Sequence, residues 1–304
     1  MHETLLLKII SFLDFLHLMQ IRTAPNLGNY LVFVASCELV GLALKRIIEI
    51  FLLVSTVPGL SILSAQDNVV HNSQSFSLKT HFAQIKDEFN YGLVFYGMNL
   101  NLGYSFISTS DGKTFSYTPE LGFGANFNKG VGAALLFQPI DLFYGLNVNE
   151  SIIRPLTIGP YFSTNYKWQM YPELQSGKMF WFTSLEAGPR FMATIPFRNK
   201  LFKVVVANSI AGWTSRPQPA TETTFYSREF SDFVRNAHSD LKFGSYNLFN
   251  HTNMEIEWIN AKDKKLSASY EFEYVGYYKN PDFSYVVHAL NLTWKIGKKK
   301  QNRI

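Results

Sequence analysis

The chain has 304 residues, a net charge of +5 and a single cysteine. Charged residues make up only 17% of it and aromatics 16%, against about 25% charged in ordinary soluble domains. One cysteine excludes a disulfide framework or a thiolate metal site, and so mild a basic excess does not suggest a nucleic-acid partner.

The mean hydropathy of −0.02 separates neither soluble from membrane protein, because alternating lipid-facing and lumen-facing residues cancel in a barrel. The first 65 residues differ from the rest of the chain. Residues 1–44 read as an N-terminal extension preceding the functional leader. Residues 45–65 read as a signal peptide: Lys45-Arg46, an apolar run from Ile47 to Leu63, then Ser64-Ala65-Gln66 with cleavage after Ala65. Val34-Ala35-Ser36-Cys37 resembles a lipobox, yet an apolar stretch comes next where a lipid-anchored chain needs a polar tether. Removing the leader leaves the net charge at +5, since it carries Lys8, Arg22, Lys45 and Arg46 against Glu3, Asp14, Glu38 and Glu49.

Residues 66–304 read as strands and turns. Ser75–Lys86 has Phe76, Leu78 and Phe82 in phase. In Tyr91–Ile107, Met98, Leu100, Leu102, Tyr104 and Phe106 alternate with Asn99, Asn101, Gly103 and Ser105. Thr109–Lys113 has turn chemistry. Tyr117–Phe127 resumes the alternation, and Asn128-Lys129-Gly130 turns into Val131–Val148, whose apolar phase slips near Pro139 as a β-bulge requires. Ile158–Met170 points Tyr161, Ser163, Asn165 and Lys167 inward, and Lys178–Ile195 does the same with Glu186, Gly188 and Arg190. Leu201–Trp213 has an ambiguous phase, and 214–240 is the longest loop, with Ser231-Asp232 as a candidate helix cap. Leu241–Asn260 slips near Gly244. The last hairpin is the clearest: Met254, Ile256, Trp258, Tyr270, Phe272, Leu290, Leu292 and Trp294 alternate with Glu255, Glu257, Glu271, Glu273, Asn291 and Thr293. A period of two is a β-strand, and these segments exceed the ~9–11 residues a tilted membrane strand needs.

The expected fold is all-β: a transmembrane antiparallel up-and-down β-barrel of about 10 strands, with 12 if the longest segments are double. Placing both termini in the periplasm puts the two longest loops, 171–177 and 214–240, on the outer side, as outer-membrane barrels require. The leader ending Ser64-Ala65-Gln66, the aromatic-rich strands and the terminal Leu292-Thr293-Trp294-Lys295-Ile296 together resemble uncharacterised Gram-negative outer-membrane β-barrel proteins. The resemblance implies a bacterial outer-membrane location, lipid and the barrel-assembly machinery as partners, and no activity. The ending Lys298-Lys299-Lys300 and Ile304 departs from the usual terminal aromatic.

Two constellations have chemical content. Glu255, Glu257, Glu271 and Glu273 converge on one inward patch, with Glu186 and the candidate cations Arg190 and Lys167 on the same lumen face. Like charges directly opposite one another are unfavourable, so the set is either a neutralised network filling a narrow lumen or a cation-binding or solute-conducting site. The function expected is a narrow pore, a transport accessory or a surface-binding protein. The alternative is a lipid hydrolase of phospholipase or lipid A deacylase type using His238, Ser239 and Asn250. That pattern is distantly similar to an outer-membrane phospholipase, but the family spaces its His and Ser one residue apart, so the adjacent pair does not fit. No metal-ligand spacing and no cofactor fingerprint occurs.

Overall fold

The computed structural model describes residues 70–88, 92–110, 112–128, 131–148, 156–171, 178–197, 200–217, 237–260, 265–279 and 282–301. The leader, the lipobox, the candidate cap at Ser231-Asp232 and Ile304 lie outside these residues.

Thirteen strands form one antiparallel sheet: β1 Val70–Asp87, β2 Leu93–Ser110, β3 Lys113–Tyr117, β4 Glu120–Phe127, β5 Val131–Val148, β6 Leu156–Tyr171, β7 Lys178–Phe197, β8 Lys200–Asn208, β9 Ala211–Ser215, β10 Lys242–Ser245, β11 Phe249–Asn260, β12 Leu266–Tyr277 and β13 Phe283–Gln301. Three pairs lie end to end as single staves: β3 with β4, β8 with β9, β10 with β11. β1 pairs with β13 from Val70↔Gln301 to Asp87↔Phe283. The sheet therefore closes on itself as a ten-staved, up-and-down barrel with no free edge.

Along the middle of the barrel and toward the termini, the strands sort their side chains as the sequence predicts. Phe76, Met98, Phe191, Ile256, Trp258, Tyr270, Leu292 and Trp294 are exposed on the outer wall. His81, Asn101, Ser163, Lys167, Glu186, Glu271 and Glu273 are buried inside. An apolar wall around a polar interior is the construction of an outer-membrane barrel, since only a closed sheet satisfies its backbone in lipid.

The interruptions in the ladder re-aim side chains. In β5 the register against β6 shifts between Phe137 and Ile140. Before the bulge the odd positions face out, as exposed Val131 does; after it the even ones do, as Tyr144 and Leu146 do. Asp141 thereby turns inward instead of facing lipid. Between β8 and β9 the break at Ser209-Ile210 has the same effect: Val204 and Val206 face out on one side of it, and Trp213 on the other. This is why the phase of 201–213 is unreadable in sequence. The slip expected near Gly244 falls at 246–248, between β10 and β11.

At the end of the barrel opposite the chain termini, the pattern inverts. Ile85, Phe95, Phe182, Phe249, Val275, Tyr277, Phe283, Tyr285 and Val287 form a buried apolar cluster inside, while Gln84 and Lys86 are exposed outside. An apolar interior under a polar exterior is the pattern of a water-soluble sheet, so this rim projects beyond the apolar belt. Phe182 stacks on Phe283 at 5.1 Å between centroids, and the cluster plugs the lumen at that end.

Candidate functional site: a polar lumen beneath an apolar plug

Below the plug, toward the termini, lies a cavity of about 590 Å³. Its lining includes seven carboxylates (Glu120, Asp141, Glu186, Glu255, Glu257, Glu271, Glu273), five cations (Lys79, Lys167, Arg190, Lys203, Lys295) and two histidines, His81 and His251.

The wall is shaped by a small-residue device. Asn101 pairs with Gly122 and Asn99 with Gly124 across β2 and β4. A Cβ on either glycine would collide with the asparagine opposite. The missing side chains let the amides lie flat on the wall, and the middle of the lumen stays open to longer groups.

Those longer groups pair across the barrel. Lys79 on β1 bridges Glu120 on β4 (2.5 Å) and Glu271 on β12 (2.9 Å). Lys167 on β6 reaches Glu273 on β12 at 2.7 Å and lies 4.4 Å above the Tyr285 ring, at the floor of the plug. His251 on β11 sits between Glu186 (2.5 Å) and Glu273 (3.2 Å). Asn165 donates to Glu186 at 3.4 Å, and Ser184 at 3.3 Å. Nearer the end that carries the termini, Glu257 has Lys203 at 3.8 Å and Lys295 at 3.9 Å.

Glu255 and Glu271 stand directly opposite in register, as expected from the hairpin. The four glutamates are not an unpaired patch, however. Glu271, Glu273 and Glu257 each have a cation, whereas Glu255 is held by the Ser269 hydroxyl at 2.6 Å. Arg190 is not a partner of the glutamates either. It donates to Asp141 at 2.7 Å and lies 4.8 Å from the Tyr161 ring. The β5 bulge is the cause, because it swings Asp141 into the lumen two staves away. Lys79, His81, Glu120, Asp141, Lys203, Lys295 and His251, which reads in sequence as a simple strand or rim residue, are network members that sequence reasoning did not single out. The signal for the β1 pair was present: with Phe76, Leu78 and Phe82 outward, Lys79 and His81 must face in.

The described contacts of the three hydrolase candidates run to other residues. His238 Nε2 is 2.9 Å from the Tyr166 hydroxyl on the outer wall of β6. The neighbouring Ala237 packs on the outward Trp168 and Trp181. Ser239 accepts a bond from the Ser215 hydroxyl through its backbone carbonyl. Asn250 accepts from Asn208 Nδ2 at 3.0 Å.

Fold and lumen together define a closed antiparallel barrel with a charged, self-paired interior. No family model matches the chain, and no curated protein matches it. Among solved structures, it is similar to the translocator domain of the autotransporter NalP from Neisseria meningitidis: 8% identity over 86% of this chain and 99% of that one, TM-score 0.35. It is also similar to the outer membrane protease OmpT from Escherichia coli (7% identity, 78% and 99% covered, TM-score 0.32) and to the Pseudomonas putida toluene transporter TodX (7%, 79% and 92%, TM-score 0.30). These proteins differ in what they do, and none lends this chain a role.

Proposed function

We propose that the chain is an integral protein of a bacterial outer membrane, with its termini in the periplasm, and that its lumen is a closed vestibule for a small polar solute. The outward belt of Met98, Ile256, Tyr270 and Leu292 supports the membrane placement. The orientation is supported by the strand ends: β9 ends at Ser215 and β10 begins at Lys242 on the side away from the termini, and outer-membrane barrels join their strands by the longer loops on the outer side. One observation supports the vestibule reading above the others: the polar cavity ends beneath the cluster of Phe182, Phe249, Tyr277 and Phe283. A ten-staved barrel has little bore to spare, since about eight staves are filled by side chains and open aqueous channels come at about sixteen. Any passage across the membrane therefore requires the plug to move.

Planar-bilayer recording tests this. The intact protein gives no steady open-channel conductance, and a solute protects cysteines on the cavity wall from aqueous reagents without crossing. A constant conductance from the unmodified protein would show that the lumen is a standing pore.

A further inference from the structure

We infer that the vestibule binds an organic cation bearing N–H donors, a protonated primary amine, at Glu255 and Asn291. The inference rests on the vestibule reading and names its ligand class.

Two independent observations meet there. The first is a charge deficit with an address. Counting the histidines as neutral, the lining has two carboxylates more than it has lysines and arginines. Glu186 is one of the two, and it is closed off by His251, Asn165 and Ser184. Glu255 is the other. Among the described residues it has no ion-pair partner; it accepts the Ser269 hydroxyl and faces the like charge of Glu271. Lys79, the cation of that neighbourhood, is already shared between Glu120 and Glu271.

The second observation is an orphaned acceptor. Asn291 lines the same cavity, is 6% exposed, and its Oδ1 has no hydrogen-bond partner. Buried amide oxygens are nearly always satisfied; those of Asn72, Asn99 and Asn101 also have no partner, and Asn291 is the one of these four whose cross-strand neighbour holds Glu255. Asn291 stands opposite Ser269 in the β12–β13 register, and Ser269 is the residue that holds Glu255. The two acceptors thus flank one serine.

The chemistry selects the ligand. A carboxylate that makes no ion-pair contact leaves room for a cation, with Lys79 and Lys203 acting on Glu255 only from a distance, and an unpaired amide oxygen asks for an N–H or O–H donor. A protonated primary amine provides both, while a quaternary ammonium provides charge alone. Among the described residues no cluster of three His, Cys, Asp or Glu side chains is arranged to hold a metal ion. A cavity of about 590 Å³ leaves room for an alkyl chain beside the ammonium group.

The experiment is calorimetric titration of the full chain in detergent with butylammonium, tetramethylammonium, butyrate and neutral butanol. Butylammonium is expected to bind at least tenfold more tightly than the other three. Glu255→Gln and Asn291→Leu each lose that preference, while Glu255→Asp keeps part of it. Asn291→Asp adds a charge at the orphaned position and tightens butylammonium binding severalfold, which a merely structural asparagine would not do. Equal binding by Glu255→Gln and the unmodified protein would overturn the assignment. Binding of butyrate or butanol in preference to butylammonium would overturn the ligand class and leave the vestibule standing. Binding of none of the four, together with no protection of cavity cysteines by any solute, would remove both.

Discussion

Arg216, one residue beyond the end of β9, donates to Asp87 at the tip of β1 at 2.6 Å, with both side chains almost wholly out of water. Its guanidinium lies 5.2 Å from the Tyr277 ring and 5.0 Å from that of Phe283. The segment that begins the longest connection is thus pinned inside the barrel mouth, and a planar cation that stacks on aromatics while pairing with a carboxylate is what arginine does better than lysine.

Arg216→Met should therefore cost more than a surface pair would. It removes the guanidinium that pairs with the buried Asp87 carboxylate, and breaking a buried pair typically costs ~3–5 kcal/mol. The double change Asp87→Asn with Arg216→Met should recover most of it. Unfolding in detergent, followed by the mobility difference between folded and heated barrel, measures both. Equal stability of the single and double variants would show that the pair is not coupled.

The same single variant loosens the aromatic plug. Conductance events in planar bilayers should become frequent in Arg216→Met and stay rare in the parent. A variant as silent as the parent would mean that the apolar cluster closes the mouth without help from the pair.

Glu255 and Glu271 occupy one cross-strand position yet should respond to neutralisation with opposite signs. Glu271→Gln removes a charge that Lys79 uses, and a lost hydrogen bond to a charged group costs roughly 1.5–3 kcal/mol. Glu255→Gln removes the like charge across the hairpin, worth roughly 0.2–1 kcal/mol in the stabilising direction. Melting curves at neutral pH in the same detergent compare them. A large loss for Glu255→Gln would reveal a partner that its present contacts do not contain.

The flat amides over glycine make a packing prediction. Gly122→Val drives a branched side chain into Asn101, and overpacking of this kind typically costs ~1–3 kcal/mol. Asn101 also donates to Glu120 at 2.5 Å, so the displacement should disturb the Lys79 pairs as well. A crystal structure or a melting curve indistinguishable from the parent would show that the wall can yield.

The barrel was legible wherever one face meets lipid and the other the lumen. Residues 254–258 and 266–274 alternate without interruption, and Pro139 marks its bulge because a proline cannot donate to the ladder. The break at Ser209-Ile210 has no such mark, so the phase of β8 and β9 was hidden. The plug was hidden for a different reason. From Phe283 to Val287 the bulky Phe283, Tyr285 and Val287 turn inward while Ser284 and Val286 face out, so the rule that reads apolar as outward fails beyond the belt. Lys167 was legible as a cation for the glutamates, but which glutamate it meets was not, nor that Arg190 goes elsewhere. Lys167 and Glu273 are 106 residues apart, and only closure of the barrel and the β5 bulge decide that one cation takes Glu273 while Arg190 takes Asp141.

The central claim, an apolar wall in lipid around a polar lumen, is tested most directly along β13. Nitroxide labels placed one at a time from residue 288 to 295 in the protein reconstituted in bilayers should alternate. Positions 288, 290, 292 and 294 should favour collision with dissolved oxygen, and 289, 291, 293 and 295 should be shielded from it. The opposite phase, or uniform access to a water-soluble nickel complex along the whole strand, would contradict the account.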